Sequence, residues 1–166
     1  MNRVRAPAVA GSFYPADPGR LRAMVEGFLA EEKTPDQPPP KAVIAPHAGY
    51  VYSGPIAGMA FAALGPELTQ VRRVVVIGPA HFVAIRGIAI PSCEAFRTPL
   101  GDVPLDRSAL EAIEDLPSVR RADAPHAPEH ALEVELPFLQ IVLDEFALVP
   151  LVVGDAGPAE VAEVLA

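Results

Sequence analysis

One local pattern, an apolar run followed by proline and histidine, occurs twice in the sequence. The first copy is Val43-Ile44-Ala45-Pro46-His47 and the second is Val75-Val76-Ile77-Gly78-Pro79-Ala80-His81. Neutral imidazole is a ligand for iron, copper and zinc. Parallel α/β sheets bind their ligands in the crevice outside the carboxyl ends of the strands. Two histidines at equivalent strand ends are therefore candidates for a shared metal ion. Each taken alone reads better as a strand cap or a loop hydrogen bond; the repetition is what brings the metal reading level with the structural one.

A third histidine cluster, His126-Ala127-Pro128-Glu129-His130, formally matches the H-x-x-E-H zinc-peptidase motif. That motif needs both histidines on one helical face, and Pro128 breaks such a helix unless it occupies the first helical position. The better role is a single histidine, His130 at a helix start with Glu129 beside it, handling protons near a metal. A surface turn rich in His and Pro is the alternative. Cys93 has no local base or cation to activate its thiol and reads as packing. Ser53 lacks the G-x-S-x-G elbow, no Walker A or G-x-G-x-x-G string occurs, and the segment Arg97 to Asp102 reads as a rigid turn, with an anion contact by Arg97 as the lesser reading.

The elements that must position these residues follow from local signals. Asp17-Pro18 opens a helix with Leu21, Met24, Val25, Phe28 and Leu29 at helical spacing, running out near Glu32. The Pro-rich stretch Thr34 to Pro40 is a stiff exposed connector. Lys41 to Ala45 reads as a buried strand, Pro55 to Leu64 as a helix closed by Gly65, and Arg73 to Ile77 as a second strand, together a βαβ unit. Gly87 to Pro91 is a further strand, and Asp106 to Leu116 a helix capped by Asp106. His130 to Leu143 fits helical spacing better than alternation. Ala147 to Val153 is a strand despite Pro150, and Pro158 opens a last helix. The expected architecture is a single α/β domain over 1–166, three layers (α/β/α) with a mainly parallel central sheet. The last helix carries no stop signal before Ala166, which predicts a C-terminally truncated domain.

Composition narrows the functions. A formal charge of −8 with only 13 basic residues argues against nucleic acid, whose phosphates demand clustered Lys and Arg. One cysteine rules out an intrachain disulfide and suits a reducing compartment. Neither a signal peptide nor a membrane span is visible, so the sequence reads as soluble and cytoplasmic.

Five strings in the order PAVAGSFYPAD (Pro7 to Asp17), IAPHAGYVYSGP (Ile44 to Pro55), VIGPAHF (Val76 to Phe82), RTPLGDVPLD (Arg97 to Asp106) and EHALEVELPFLQ (Glu129 to Gln140) resemble Memo family signatures and span nearly the whole chain. The family includes the Memo component of Amme–Memo–radical-SAM systems and is similar to class III extradiol ring-cleaving dioxygenases, which use non-haem iron(II). The resemblance implies that fold. It matches His47 and His81 to the two histidine metal ligands, His130 to the acid/base histidine, and Phe13 and Tyr52 to aromatic positions lining a substrate pocket. Iron(II) is the implied ion, with copper or zinc as alternatives. Radical-SAM and Amme-domain proteins are the implied partners, and the ligand is a small molecule or peptide. The family's third metal position lies in a segment beyond Ala166, leaving two histidines short of a facial triad.

Three functions compete at this point. The first is a metal-dependent, dioxygenase-like enzyme, the second a non-catalytic module binding a partner through the same cleft, and the third a hydrolase using metal-bound water.

Overall fold

The computed structural model describes residues 3–30, 40–64 and 71–166. The expected end of the first helix near Glu32, the connector over 34–39 and the Gly65 helix stop lie outside the described residues. The α/β class stands. Among the described residues, five α-helices accompany two small mixed sheets, one of three strands and one of four.

Most boundaries follow the capping chemistry. Helix α1 (Pro18–Ala30) starts where the Asp17 carboxylate accepts the Arg20 amide at 2.8 Å. Helix α3 (Arg107–Ile113) starts where Asp106 accepts the Ala109 amide at 2.9 Å, and α5 (Pro158–Leu165) opens on its proline. Strand β7 (Ala147–Val153) is buried along almost its whole length and is the axis of the larger sheet. It pairs in parallel with β2 (Arg73–Pro79) on one side and antiparallel with β3 (Ile88–Ile90) on the other; β6 (Val119–Arg121) closes the sheet parallel to β3. Pro150 is accommodated opposite Val76 in the β2–β7 ladder.

The smaller sheet joins β1 (Val4–Arg5), parallel, to the hairpin of β4 (Ala95–Thr98) and β5 (Gly101–Pro104). Arg97, the anion-contact candidate, is instead committed across this hairpin, giving Nε and Nη2 to the two oxygens of Asp102 at 2.6 and 2.8 Å.

The structure departs from expectation in two places that matter for the site. Residues 41–45 do not form a strand. Val43 and Ala45 pack toward the core, but Ile44 is 99% exposed and no ladder forms, so the expected βαβ unit is absent. A β-branched run becomes a strand only when a neighbouring strand takes its backbone hydrogen bonds. Helix α2 (Tyr50–Ala62) follows instead, starting five residues earlier than its sequence signals suggest and carrying Pro55 in its second turn. The second departure is at His130. The helix expected from that residue begins only as a 3-10 turn at Glu133–Glu135 that runs into α4 (Leu136–Val142), so His130 sits in the preceding loop.

Helices α1 and α2 pack closely because Gly58 has no side chain; a Cβ there would lie 2.7 Å from the Phe28 carbonyl oxygen and 2.8 Å from the Phe28 Cβ. Gly58→Ala is expected to lower stability by about 1–3 kcal/mol through overpacking. Urea unfolding followed by circular dichroism checks this, and an unchanged midpoint would refute the close approach.

Among the described residues β2 is an edge strand, with Val75, Ile77 and the following Phe82 partly exposed; Ile44 before α2 and Val51, Tyr52, Ile56 and Met59 on α2 are further exposed apolar side chains. Among the described residues no helix is long and apolar enough to cross a membrane.

Candidate metal centre

Three chain segments deliver one histidine each. His47 comes from the stretch leading into α2. This stretch is anchored where the Tyr50 amide donates to the Phe13 carbonyl at 2.8 Å, the Ser53 hydroxyl to the Ala48 carbonyl at 2.9 Å and the Tyr50 hydroxyl to the Val134 carbonyl at 2.6 Å. His81 follows the end of β2, where the Ala80 amide still bonds the Val153 carbonyl. His130 belongs to the loop before the 3-10 turn, and that loop lies directly on β2. A Cβ on Gly78 would come within 2.9 Å of Leu132 Cδ1 and 3.0 Å of the Ala131 Cβ. Gly78 thus lets Ala131 and Leu132 press against the strand and brings His130 over His81.

The result is a triangle of imidazoles. Ring centroids are 5.3 Å apart for His47 and His81, 5.9 Å for His47 and His130, and 4.6 Å for His81 and His130, whose planes are inclined by only 23°. One nitrogen from each ring can be chosen such that all three lie within 4.8 Å of one another. Nitrogens bound to one ion at about 2.0–2.1 Å sit closer together than that, so the triangle is open, with room to tighten.

Two phenylalanine rings flank His130. Phe13 lies 4.9 Å from the His130 ring and Phe82 5.7 Å from it, edge-on. Tyr52 projects from the first turn of α2 and is 85% exposed. His126 is turned away into the core, 2% exposed, with Nε2 donating to the Ala89 carbonyl at 3.1 Å. Residues 126–130 are not helical, so no H-x-x-E-H helix exists. Cys93 is half-buried, and burial first, with Asp123 nearby, pushes its thiol pKa up, away from nucleophilic use.

Against known sequences, the model of the Memo-like protein family matches residues 5–166. The chain is 42% identical over 156 residues to a MEMO1 family protein of Methanopyrus kandleri, an alignment covering 88% of this chain and 55% of that protein. It is 40% identical to a MEMO1 family protein of Aquifex aeolicus, covering 91% and 55%, and 37% identical to one of Methanothermobacter thermautotrophicus, covering 97% and 61%. The chain belongs to the Memo family. It spans little more than half the length of the first two relatives and about three fifths of the third.

Two carboxylates in the family string at 129–140 shape this Memo-family site. Glu129, 2% exposed, sits under His81: Oε2 accepts the His81 amide at 2.7 Å, while Oε1 lies 2.8 Å from His81 Nδ1. Burial opposes ionisation of Glu129, but the amides of His81 and Ala131, together with the His81 ring, outweigh it and hold the carboxyl below its usual range. His130 shifts the other way. Desolvation lowers its pKa against the pull of Glu129, and the neighbouring His81 and His47 add to the lowering, so the ring favours the neutral form. Glu133, fully buried, lies deeper and ties the N-terminal segment to the site loop through Arg5.

Sequence reasoning placed Glu129 beside His130 and passed over Arg5 and Glu133. The available signal was two acidic residues, Glu133 and Glu135, inside the otherwise apolar run Ala131 to Leu139; charges within a buried stretch announce partners elsewhere.

Proposed function

We propose that this chain carries a divalent metal site built by His47 and His81 with His130 beside them, of the non-haem iron type that the extradiol dioxygenases use. The observation that carries this reading is the convergence of three imidazoles from three separate segments with ligand nitrogens within 4.8 Å. The donor set fits an ion. Imidazole suits iron, copper and zinc, and His130 Nδ1 is buried without a hydrogen-bond partner, an atom that protein contacts alone leave unsatisfied. When bound, iron(II) would supply Lewis-acid activation and a site for dioxygen.

The chain's own residues divide the remaining tasks. His47 and His81 would hold the ion. His130, kept neutral by desolvation, is a base; a proton taken up at Nδ1 would face the Glu129 oxygen 3.4 Å away. Phe13 and Phe82 shield the His130 ring from water. Three imidazoles also match the ligand set of zinc hydrolases that activate water, which makes hydrolysis the second reading. The radical-SAM and Amme-domain partners stay a proposal, to be tested by co-purification.

The test is anaerobic titration with iron(II), copper(II) and zinc, side by side with the His47→Ala/His81→Ala double variant. The expected result is one ion per chain in the wild type, with iron(II) accepted, and stoichiometric binding lost in the variant. Binding in neither protein, or equal binding in both, would overturn the site. Oxygen uptake with catechols separates the oxygenase reading from zinc-dependent ester cleavage.

A further inference from the structure

Among the described residues no Lys or Arg side chain pairs with the Glu129 carboxylate, and yet it is almost wholly buried. Its two oxygens are used instead by donors from the histidine cluster. Oε2 accepts the His81 amide at 2.7 Å; Oε1 accepts the amides of His130 and Ala131, both at 2.9 Å, and faces His81 Nδ1 at 2.8 Å. Three of the four are backbone N–H groups, which can only donate, so the side chain is held as an acceptor. An ionised carboxylate has no proton to offer Nδ1. The contact at 2.8 Å therefore requires that Nδ1 carry the hydrogen, and Nε2 of His81 keeps its lone pair.

We propose that Glu129 is the positioning residue of the candidate metal centre: it fixes the Nδ1–H tautomer of His81, leaving Nε2 as the ligand atom, and clamps the His130 loop to the exit of β2. Metal-binding histidines commonly donate their second ring nitrogen to a carboxylate, which orients the ring and raises its basicity. Here the same carboxylate also takes the two amides that follow it in the loop, so His81 and His130 are held 4.6 Å apart in advance of any ion. Arg5 reinforces the clamp from behind, donating Nη2 to the Glu129 carbonyl at 2.6 Å and Nε to the His126 carbonyl at 2.7 Å. Glutamine keeps the shape of Glu129 but turns one oxygen into a donor facing donors. Aspartate is one methylene short of His81.

The tautomer assignment stands by itself; its consequence for affinity rests on the metal reading above. The experiment is long-range nitrogen–proton NMR of the imidazoles in metal-free wild type, Glu129→Gln and Glu129→Asp, followed by zinc titration and thermal unfolding of each. The expected result is His81 as the Nδ1–H tautomer in the wild type. His126, which donates from Nε2 to Ala89, serves as an internal reference of the opposite tautomer. In Glu129→Gln, His81 should lose its single tautomer and zinc affinity should fall about 10–100-fold, while His126 stays unchanged. A wild-type His81 protonated at Nε2 would overturn the proposal, as would a folded Glu129→Gln variant with both tautomer and affinity intact. The wild-type spectrum decides the first point even if the variants fold poorly. A wild type with the Nδ1–H tautomer that binds no ion would sink the metal reading and leave the positioning role of Glu129 in place.

Discussion

Replacing Glu133 with alanine is expected to cost about 3–5 kcal/mol of folding stability, a large share of the roughly 5–15 kcal/mol that holds a domain together. The side chain is 0% exposed, and every one of its contacts is long-range. Oε2 accepts Arg5 Nη1 and the Ala8 amide, both at 2.7 Å; Oε1 accepts the Val9 amide at 3.0 Å and the Tyr14 hydroxyl. Removing the carboxylate leaves a buried guanidinium Nη1, the buried Val9 amide, the part-buried Ala8 amide and a phenol without their acceptor. The Arg5 charge is the costly part, because a buried guanidinium left with only carbonyl acceptors has no counter-charge to offset its lost hydration. Arg5→Met combined with Glu133→Leu removes both charges together and should recover part of the loss. Urea unfolding at pH 7 measures both variants. A loss below about 1 kcal/mol for Glu133→Ala would mean that this network is not what holds residues 5–14 to the site loop.

Glu135 should make the protein less stable as the pH rises, and Glu135→Gln should remove that slope. Its side chain is buried, Oε2 has no partner, and burial alone pushes its pKa up to about 8 from 4.5. Between pH 4.5 and 8 the folded state binds more protons than the unfolded state, so stability is complete below 4.5 and drains away as the pH climbs through that window. By pH 7 the loss amounts to about 3 kcal/mol. His126 acts in the opposite sense. Burial lowers its pKa to about 4 from 6.5, so its contribution is complete above 6.5 and lost as the pH falls toward 4. The two effects oppose each other from 4.5 to 6.5. The wild-type profile is therefore expected to be nearly level there and to fall on the alkaline side. Glu135→Gln should flatten the alkaline decline and expose the acid-side rise that His126 causes. Unfolding free energies across pH 4 to 8 test this; a wild type that grows more stable from pH 6.5 to 8, or a variant curve parallel to it, would refute the assignment to Glu135.

Much of the fold is legible in the residues themselves, because its signals are local. Asp17-Pro18, Asp106 and Pro158 each start a helix by satisfying or omitting an end amide. The runs 73–77 and 147–153 are β-branched or apolar enough to become the paired strands β2 and β7. The five ordered strings carry the Memo kinship without any coordinates. Other features depend on neighbours that periodicity does not register. The run at 41–45 has strand composition and forms no strand, since no described strand takes its backbone hydrogen bonds. The two-residue β1 is fixed by pairing across the chain, Val4 against Ala95 and Arg5 against Phe96.

The candidate site divides in the same way. Histidine after proline, twice, singles out His47 and His81 from sequence alone. That His130 stands 4.6 Å from His81, and that Glu129 grips the His81 ring from 48 residues away, was settled only by the packing of the 130–132 loop onto Gly78. The buried bond from Arg5 to Glu133 spans 128 residues. Capping and periodicity act over a few residues and are written in the sequence. A carboxylate's choice of buried partner depends on which distant segments share its desolvated space, and tertiary structure decides that.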